Sequence, residues 1–265
     1  MNYIVVANET LRIIGEGFYE KGGRRVELAK KNYAAVEVYS PGKGAELLAK
    51  TVIPGGEMCG ISVTTEDSFA AARRFERPFV MNFANAHRAG GGFRLGARAQ
   101  EESLCRCSTL YASISCPTAR EMYRHNNTHL GPVESDYMLY SPEVCIFRDE
   151  RCELLDEPFL AAVATVPAPN RRGAAMFASN REIAEAMVRR IRIMLAIAAN
   201  HGHRNLVLGA WGCGAFGNRP EEVAGHFRRV LVEEGFGRLF GKVCFAIYGR
   251  EDGRNYLSFK GVFGR

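Results

Sequence analysis

Residues 79–92 of this 265-residue chain read FVMNFANAHRAGGG, an apolar run that leads through a short polar stretch into three consecutive glycines. The run at 79–83 predicts a buried strand. Glycine has no Cβ, so the backbone N–H groups of 90–92 can closely approach a ligand. In open α/β sheets, ligands bind beyond the carboxyl ends of the strands. The stretch therefore predicts an α/β fold with a ligand site directly after this strand.

Predicted strands and helices alternate along the rest of the chain. Further strands are predicted at 35–39, 61–63, 160–166, 206–208 and 243–248, with edge strands or a hairpin around 138–140 and 144–148. Helices are predicted at 10–19, 64–75, 100–114, 179–200 and 220–234. Gly22-Gly23 would close the first helix, and capping boxes at Thr64 and Asp67 and at Ser179 and Glu182 would open the second and fourth. Pro220 suits the first turn of the last helix. Because the strands are near-continuous apolar runs, we expect a mostly parallel or mixed sheet covered by helices on both faces.

The composition fits one soluble globular domain, or one domain with a smaller extension. Hydrophobic residues make up 47% of the chain and charged residues 24%, which excludes disorder and a disulfide-dense miniprotein. No apolar run approaches the roughly 18 residues of a membrane span, and the first residues show no basic leader, so we expect a cytoplasmic protein. The eight cysteines form no C-x-x-C pair and are expected to be reduced. The net charge of +6 is dispersed, which suits an anionic ligand better than a nucleic-acid groove.

A second glycine cluster, GAWGCGAFGN at 209–218, follows the predicted strand at 206–208. Its spacing Gly212-x-Gly214-x-x-Gly217 is that of a dinucleotide-binding fingerprint, which alone is a weak signal. A Rossmann unit normally opens the fold, whereas this one lies near the C-terminus, and the acids about twenty residues on lie on a helix. A tight strand–helix crossover without a ligand also explains the loop. The remaining functional interpretation is a diphosphate site.

Two adjacent carboxylates follow the first glycine cluster after seven residues, in Gln100-Glu101-Glu102 at the start of a predicted helix. Acids in a first helical turn often only complement the helix dipole. Neighbouring helix positions diverge by about 100°, so both carboxylates reach one cavity only near its rim. One would then bind a sugar hydroxyl while the other carries out acid–base chemistry.

Together these motifs resemble one enzyme family. The runs NFANAHRAGGGF at 82–93, AQEE at 99–102 and LVLGAWGCGAFGN at 206–218 look like the bacterial-type poly(ADP-ribose) glycohydrolases, whose signature is three glycines, six to eight residues and then Gln-Glu-Glu. The similarity extends from about residue 10 to residue 248. The resemblance implies a three-layer α/β/α macrodomain with a mixed central sheet, which we place at 35–265, after a short N-terminal helical extension at 1–34.

The resemblance also implies roles for individual residues. Glu102 would be the catalytic acid, Glu101 would bind ribose hydroxyls, and Gln100 would orient the pair. Asn85 would contact the distal ribose and Phe216 would pack on it. The full set of expected substrate-binding residues comprises Asn85, Gly91, Gly92, Gln100, Gly212, Cys213, Gly214, Ala215, Phe216 and Gly217.

The implied activity is hydrolysis of the ribose–ribose O-glycosidic bonds of poly(ADP-ribose), releasing ADP-ribose from chain ends. Carboxylates usually share the tasks of such a cleavage, and Glu102 would protonate the leaving 2′-oxygen and then deprotonate the attacking water. Two alternatives stay open: hydrolysis of mono-ADP-ribosyl groups on protein or nucleic acid, and an ADP-ribose reader without turnover. We expect a monomer that acts on poly(ADP-ribose) or ADP-ribosylated proteins, with no cofactor, metal, membrane or stable nucleic-acid complex.

Two features outside these motifs have more than one interpretation. Glu66 or Asp67, after the strand at 61–63, could accept a hydrogen bond from the adenine amino group, although helix capping explains Asp67 equally well. His125-x-x-x-His129 has helical i, i+4 spacing, with Cys105, Cys107 and Cys116 upstream. We expect no zinc site there, because residues 105 and 107 point about 200° apart on a helix.

Four residues beside the glycine clusters are also ambiguous. Cys213 lacks the flanks of a nucleophile elbow, so we interpret it as a small residue in a tight phosphate loop. His87 and Arg88 are either solvated loop residues or phosphate contacts. Trp211 is expected in the core.

Overall fold

A computed structural model describes residues 1–29 and 33–264 of the chain. Its strands are β1 (Phe18–Lys21), β2 (Arg24–Glu27), β3 (Glu37–Tyr39), β4 (Gly60–Thr64), β5 (Phe79–Ala84), β6 (Met138–Arg148), β7 (Leu154–Pro167), β8 (Asn205–Leu208) and β9 (Lys242–Ala246). Its α-helices are α1 (Tyr3–Glu16), α2 (Pro41–Lys50), α3 (Ser68–Ala72), α4 (Gln100–Cys107), α5 (Leu110–Ser115), α6 (Arg120–Thr128), α7 (Asn180–Asn200), α8 (Pro220–Arg228) and α9 (Arg254–Phe263). No helix in these two ranges is long and apolar enough to cross a membrane.

The central sheet has seven strands in the order β3-β6-β7-β5-β8-β9-β4. Strand β6 is antiparallel to both β3 and β7, and the remaining neighbours are parallel, so the sheet is mixed. Strand β5, from the stretch at 79–92, lies between β7 and β8. The predicted mixed sheet is confirmed, and the two glycine clusters follow its adjacent parallel strands β5 and β8.

Helices cover both faces of the sheet, which makes the fold three-layered. Successive side chains of a strand point to opposite faces, and in β5 Phe79 and Met81 join one apolar cluster while Val80 joins the other. The first cluster is closed by α7, α8 and α9, and the second by α1, α3, α4, α5 and α6. Both clusters exclude solvent almost fully around β5, because Phe79, Val80 and Met81 are each 0% exposed. The strand that leads to the first glycine cluster is therefore tightly packed on both of its faces.

The N-terminal helix is present, but with other bounds than predicted. It runs from Tyr3 to Glu16 because Asn2 caps its start, accepting a hydrogen bond from Ile4 N at 3.1 Å, and Gly17 ends it with φ +78°. Gly22 and Gly23 do not close this helix. They have φ +57° and +76° and form the two-residue turn of the β1–β2 hairpin, where such backbone angles are favoured.

The predicted helix at 100–114 is two helices. Between them, Ser108 bridges to Ile146 in β6, and the Thr109 backbone N–H and hydroxyl oxygen bond Cys145 at 3.0 and 2.9 Å. These bonds to a strand replace those that would continue the helix. Strand β6 is correspondingly one long strand inside the sheet, with an irregular register between Ser141 and Val144, rather than edge strands or a hairpin.

Three helix boundaries also test the capping predictions. The capping box of Ser179 and Glu182 is confirmed at the start of α7. The box at Thr64 is wrong, because Thr64 ends β4 and Asp67 alone caps α3, which stops at Ala72. Helix α8 ends at Arg228 and continues as a π-helical turn at 229–233. Helices α2, α6 and α9 were not predicted.

Candidate active site

Gln100 joins the start of α4 to the carboxyl end of β5. Its Oε1 accepts a hydrogen bond from Phe83 N at 2.9 Å, while its Nε2 donates to Met81 O at 2.8 Å and to Ser68 Oγ at 3.1 Å. One side chain therefore fixes the relative positions of β5, α3 and α4. The orientation of the next two residues follows from this anchor.

Glu101 is turned into the protein. It is 3% exposed, its Oε2 accepts from Asn85 N at 2.8 Å, and its Oε1 accepts from Asn82 Nδ2 at 3.3 Å. Burial raises the pKa of Glu101 to about 8, the nearby Glu102 carboxylate adds to this rise, and the hydrogen bonds oppose it. Near neutral pH this carboxyl group is therefore mostly protonated.

Glu102 is oriented by the first glycine cluster. Its Oε1 accepts a hydrogen bond from Gly92 N at 2.9 Å. Its Oε2 is buried, and within residues 1–29 and 33–264 no donor satisfies it. Buried carboxylate oxygens normally have partners, so this oxygen is the one that a bound ligand would meet.

Each glycine of the first cluster is required by a close approach. A Cβ at Gly91, where φ is +52°, would clash with Glu102 Oε1. A Cβ at Gly92 would lie 2.7 Å from the Ala97 Cβ, and one at Gly90, where φ is +67°, would lie 2.8 Å from the Tyr111 ring. The loop presses its backbone against the carboxylate, and only glycine permits this.

The loop between β5 and the glycines is shaped by Asn85. Its Oδ1 accepts hydrogen bonds from His87 N at 2.8 Å and Arg88 N at 3.0 Å, while its own N–H binds Glu101. The His87 ring lies 3.1 Å from Asn127 Oδ1 of α6. His87 is therefore attached to a neighbouring helix, as expected for a loop residue.

The second glycine loop is held by Asn218, which sequence reasoning did not single out. Asn218 is 3% exposed, and its Nδ2 donates to Pro169 O at 2.8 Å and to Gly212 O at 3.2 Å. A Cβ at Gly212, where φ is +73°, would lie 2.5 Å from this Nδ2. Gly214, by contrast, has open space where its Cβ would be. The loop is thus fastened at both ends and leaves its middle free to face a ligand.

A cavity of about 460 Å³ runs beside this loop and α4. Of the expected site residues, those that line it are Gln100, Gly212, Gly214, Ala215 and Phe216. The cavity lining does not include Asn85, Gly91, Gly92, Glu101 and Glu102, which form one hydrogen-bonded or closely packed group beside Gln100. The volume is in the range of small-molecule sites.

Asp67 also lines the cavity, next to Ser68, which is bonded to Gln100. Its Oδ1 caps α3 by accepting from Phe69 N and Ala70 N at 2.8 and 3.2 Å, while its Oδ2 is buried without a donor among the described residues. Burial raises the pKa of this carboxyl group. Glu66 instead forms an ion pair with Arg74 at 2.8 Å. Asp67 thus caps the helix with one oxygen, while its other oxygen has no donor among the described residues.

Part of the cavity wall comes from segments that the sequence motifs did not indicate. Tyr3 of α1, Arg98, Arg106 of α4 and Cys152 of the β6–β7 turn all line it. The ring of Tyr3 lies 5.1 Å from the Arg98 guanidinium carbon and 4.4 Å from that of Arg106. The only signal in the sequence was the spacing of Gln100, Ser103 and Arg106, which lie on one face of α4.

The other ambiguous residues have structural contacts. Burial raises the pKa of Cys213 to about 12, which leaves its thiol protonated, and Trp211 is 0% exposed with its Nε1 donating to Val166 O at 2.9 Å. The rings of His125 and His129 stack at 4.3 Å. The described ranges contain no group of three or more His, Cys, Asp or Glu side chains that could hold a metal ion.

Known proteins match this chain over nearly its whole length. The family model for the catalytic domain of microbial-type poly(ADP-ribose) glycohydrolase (PARG) matches residues 7–149. Poly(ADP-ribose) glycohydrolase from Thermomonospora curvata is 39% identical, with a TM-score of 0.91, over 98% of this chain and 99% of that one. Its complex with the inhibitor ADP-HPD is 38% identical, with a TM-score of 0.88, over 98% of each chain. The Deinococcus radiodurans enzyme in complex with ADP-ribose is 36% identical, with a TM-score of 0.81, over 89% of this chain and 98% of that one. None of the curated proteins matches.

Proposed function

This chain belongs to the microbial-type poly(ADP-ribose) glycohydrolases, and we propose that it hydrolyses the ribose–ribose O-glycosidic bonds of poly(ADP-ribose) and releases ADP-ribose. The observation that carries this proposal is the carboxyl group of Glu102. One of its oxygens is fixed by Gly92 N, and the other is buried without a protein donor in the described chain. A glycosidase needs such a group, held in place and still free to exchange a proton with its substrate.

The cavity suits each part of an ADP-ribose unit. Asp67 lines the cavity, and its Oδ2, which has no protein donor in the described chain, can accept from the adenine amino group. The loop at 212–217 exposes backbone at Gly214, where N–H groups can bind a diphosphate. The distal ribose would sit between Phe216, which lines the cavity, and the group formed by Asn85 and the two glutamates.

In the proposed mechanism Glu102 protonates the leaving 2′-oxygen as the bond to the distal ribose breaks. The oxocarbenium-like transition state is stabilised by the adjacent diphosphate of the substrate. Glu102 then removes a proton from the attacking water, which restores its acid form. Glu101 holds β5 and the loop at Asn85, because its oxygens accept hydrogen bonds from Asn82 and Asn85. In the proposed complex it would also accept a hydrogen bond from a ribose hydroxyl.

We further propose cleavage from chain ends. Phe216 lines the cavity at the distal-ribose end, and its carbonyl oxygen accepts from Arg171 N at 2.9 Å. Arg171 in turn donates to Asn218 Oδ1 at 3.2 Å and to Asn180 Oδ1 at 2.7 Å. The cavity wall at Phe216 is therefore held in place by Arg171, and a fixed wall there would prevent the polymer from continuing past the distal ribose. Cleavage from ends yields ADP-ribose as the only early product, whereas internal cleavage yields shorter oligomers.

Three coarser properties are proposed with the function. The division into an extension at 1–34 and a macrodomain at 35–265 is supported by the β1–β2 hairpin, which forms a sheet of its own. A cytoplasmic location is supported by eight cysteines that are all free thiols, as a reducing compartment would keep them. A monomer is proposed from the sequence. Limited proteolysis, cell fractionation and light scattering test these in turn.

The deciding experiment measures release of ADP-ribose from poly(ADP-ribose) by the wild-type protein and by Glu102→Gln. We expect Glu102→Gln to lower kcat by about 10²- to 10⁴-fold, the usual contribution of a general acid, while its Kd for ADP-ribose changes little. Glu46→Gln, at an exposed position of α2, is the matched control and should keep full activity. No release by the wild-type protein would refute the proposed function. Full activity of Glu102→Gln would refute the mechanism alone.

A further inference from the structure

Two cysteines meet beside the cavity, from segments 45 positions apart in the chain. Cys107 is the last residue of α4, and Cys152 lies in the turn between β6 and β7. Cys107 Sγ donates to Asp149 O at 3.2 Å, and the same carbonyl oxygen accepts from Cys152 N at 2.9 Å, so one backbone group holds the two cysteines side by side. Cys107 is 3% exposed and Cys152 6% exposed, so both are shielded from bulk solvent. Only Cys152 lines the cavity.

The backbone around Cys152 is fixed on both sides. Its N–H donates to Asp149 O at 2.9 Å, and its carbonyl oxygen accepts from Arg148 Nη1 at 2.7 Å. Arg148 Nη2 is bonded to Glu9 of α1 at 2.6 Å. The turn is thereby tied to β6 and to the N-terminal helix, and the sulfur of Cys152 keeps its place beside Cys107.

Two buried arginines lie near Cys152: Arg148 donates to its carbonyl oxygen, and Arg106 lines the same cavity. Arg106 is 2% exposed and Arg148 is 4% exposed, and the Nε of each is buried with no acceptor in the described part of the chain. Buried guanidinium groups normally have all their hydrogen bonds satisfied. These two spare donors therefore favour an anion between them, and the thiolate of Cys152 is the group that can supply one.

The charges facing the two thiols make them unequal. When Cys152 ionises, the single S–H of Cys107 turns from Asp149 O and donates to the thiolate. That hydrogen bond, followed by the positive charges of Arg106 and Arg148, lowers the pKa of Cys152 below its usual range, although burial opposes this shift. The same hydrogen bond, burial and the Asp67 carboxylate raise the pKa of Cys107. Cys152 is thus the nucleophilic thiolate, and Cys107 is the thiol that stays protonated beside it.

We propose that Cys152 and Cys107 form a redox-modification site that reacts with hydroperoxides and closes to a disulfide. The Cys152 thiolate attacks one oxygen of H₂O₂, the O–O bond breaks, and hydroxide leaves, so that sulfur is oxidised to the sulfenic acid and peroxide is reduced. The Cys107 sulfur then attacks the sulfenic sulfur, its proton goes to the leaving hydroxyl group, and water departs. The net change is two thiols and one H₂O₂ to one disulfide and two H₂O.

The site couples oxidation to the cavity wall. The disulfide would join the C-terminal end of α4 to the β6–β7 turn and draw the Cys152 sulfur away from Arg106, which also lines the cavity. The hydrogen bonds of the glutamates, at the opposite end of α4, would stay intact. Where the proposed function holds, we therefore expect peroxide to raise KM for poly(ADP-ribose) more than it lowers kcat, reversibly with dithiothreitol.

Mass spectrometry tests the site without any assay of activity. In the wild-type protein, a small excess of H₂O₂ should produce a peptide pair linked through Cys107 and Cys152, and dithiothreitol should separate it. Cys107→Ser should stop at a Cys152 sulfenic acid that dimedone traps. Absence of the linked pair together with absence of a dimedone adduct at Cys152 would overturn the proposal, whether or not the protein hydrolyses poly(ADP-ribose).

Cys213 provides an internal control for reactivity. It is more exposed than Cys152, but burial raises its pKa to about 12. At pH 7 Cys152 should therefore have more thiolate than Cys213, and the lower intrinsic nucleophilicity of a weaker base offsets only part of this difference. We expect iodoacetamide to modify Cys152 at least about tenfold faster than Cys213. Equal rates, or faster modification of Cys213, would contradict the electrostatic basis of the site.

Discussion

Glu101 is expected to make the stability of the protein fall as the pH rises. The carboxyl group has a folded-state pKa of about 8, raised by burial, against an ordinary value of 4.5. Between these two values the folded protein holds a proton that the unfolded chain has lost. The stability contribution of this group is therefore fully present below pH 4.5 and is lost as the pH rises to about 8.

The size of the effect follows from the two pKa values. Each pH unit within this window lowers the free energy of unfolding by at most about 1.4 kcal/mol. Between pH 5 and pH 8 the loss is at most about 3 to 4 kcal/mol, because relaxation and water entry reduce the cost of a buried charge. Glu101→Gln removes the titration, because an amide mimics the neutral acid and can still accept the hydrogen bond from Asn85 N.

Urea unfolding of the wild-type protein and of Glu101→Gln at pH 5, 6, 7 and 8 measures this difference. Subtracting one curve from the other cancels the titration of groups that do not interact with Glu101. Glu102 does interact with it, so the difference reports the titration of Glu101 together with its effect on Glu102. We expect the wild-type protein to lose about 1.5 to 3.5 kcal/mol relative to Glu101→Gln over this range. Two parallel curves, with a change under about 0.5 kcal/mol, would show that Glu101 ionises with an ordinary pKa and would refute the reasoning.

Three further substitutions test the site and its support. Gly91→Ala places a Cβ against Glu102 Oε1 at a backbone φ of +52°. Steady-state kinetics should then show kcat reduced at least about tenfold, whereas unchanged kinetics would mean that the Glu102 carboxylate can move freely. Asn218→Ala removes the hydrogen bonds that close the loop at 209–218. Calorimetry should then show a Kd for ADP-ribose about tenfold higher, whereas an unchanged Kd would mean that this loop does not contribute to binding. Arg190→Leu strips Asp136 of its fully buried partner, and urea unfolding should show a loss of about 3 kcal/mol; a loss under about 1 kcal/mol would mean that Arg189 compensates.

The fold could be predicted where the determining interactions are local. The capping box of Ser179 and Glu182 lies within four residues, so the sequence predicts it directly. The continuous apolar run of β5 likewise predicts a buried strand. The break between α4 and α5 could not be predicted, because the bonds that cause it join Thr109 to Cys145, 36 positions away. The hairpin of Gly22 and Gly23 was missed for a different reason, since a glycine pair can both end a helix and form a type I′ turn.

The candidate site was predictable in its motifs but not in its walls. The glycine clusters and Gln100-Glu101-Glu102 are contiguous in sequence, so their residue types indicate their chemistry. Tyr3, Arg106 and Cys152 reach the cavity only because α1 and the β6–β7 turn pack against α4. No pattern of residues in the sequence predicts this packing. The redox pair became visible only when the fold brought Cys107 and Cys152 together.

The division of labour between the two glutamates follows from helix geometry. Adjacent helix positions point about 100° apart, so one loop cannot hold both carboxyl groups in the same way. Glu101 turns toward β5, where Asn82 and Asn85 occupy both of its oxygens, and Glu102 turns toward Gly92, which occupies only one. A neutral Glu101 also spares its neighbour the repulsion of a second charge. Of the two glutamates, Glu102 alone combines a fixed position with a free oxygen. We therefore expect Glu101→Gln to change mainly the stability of the protein, and Glu102→Gln to lower mainly its turnover.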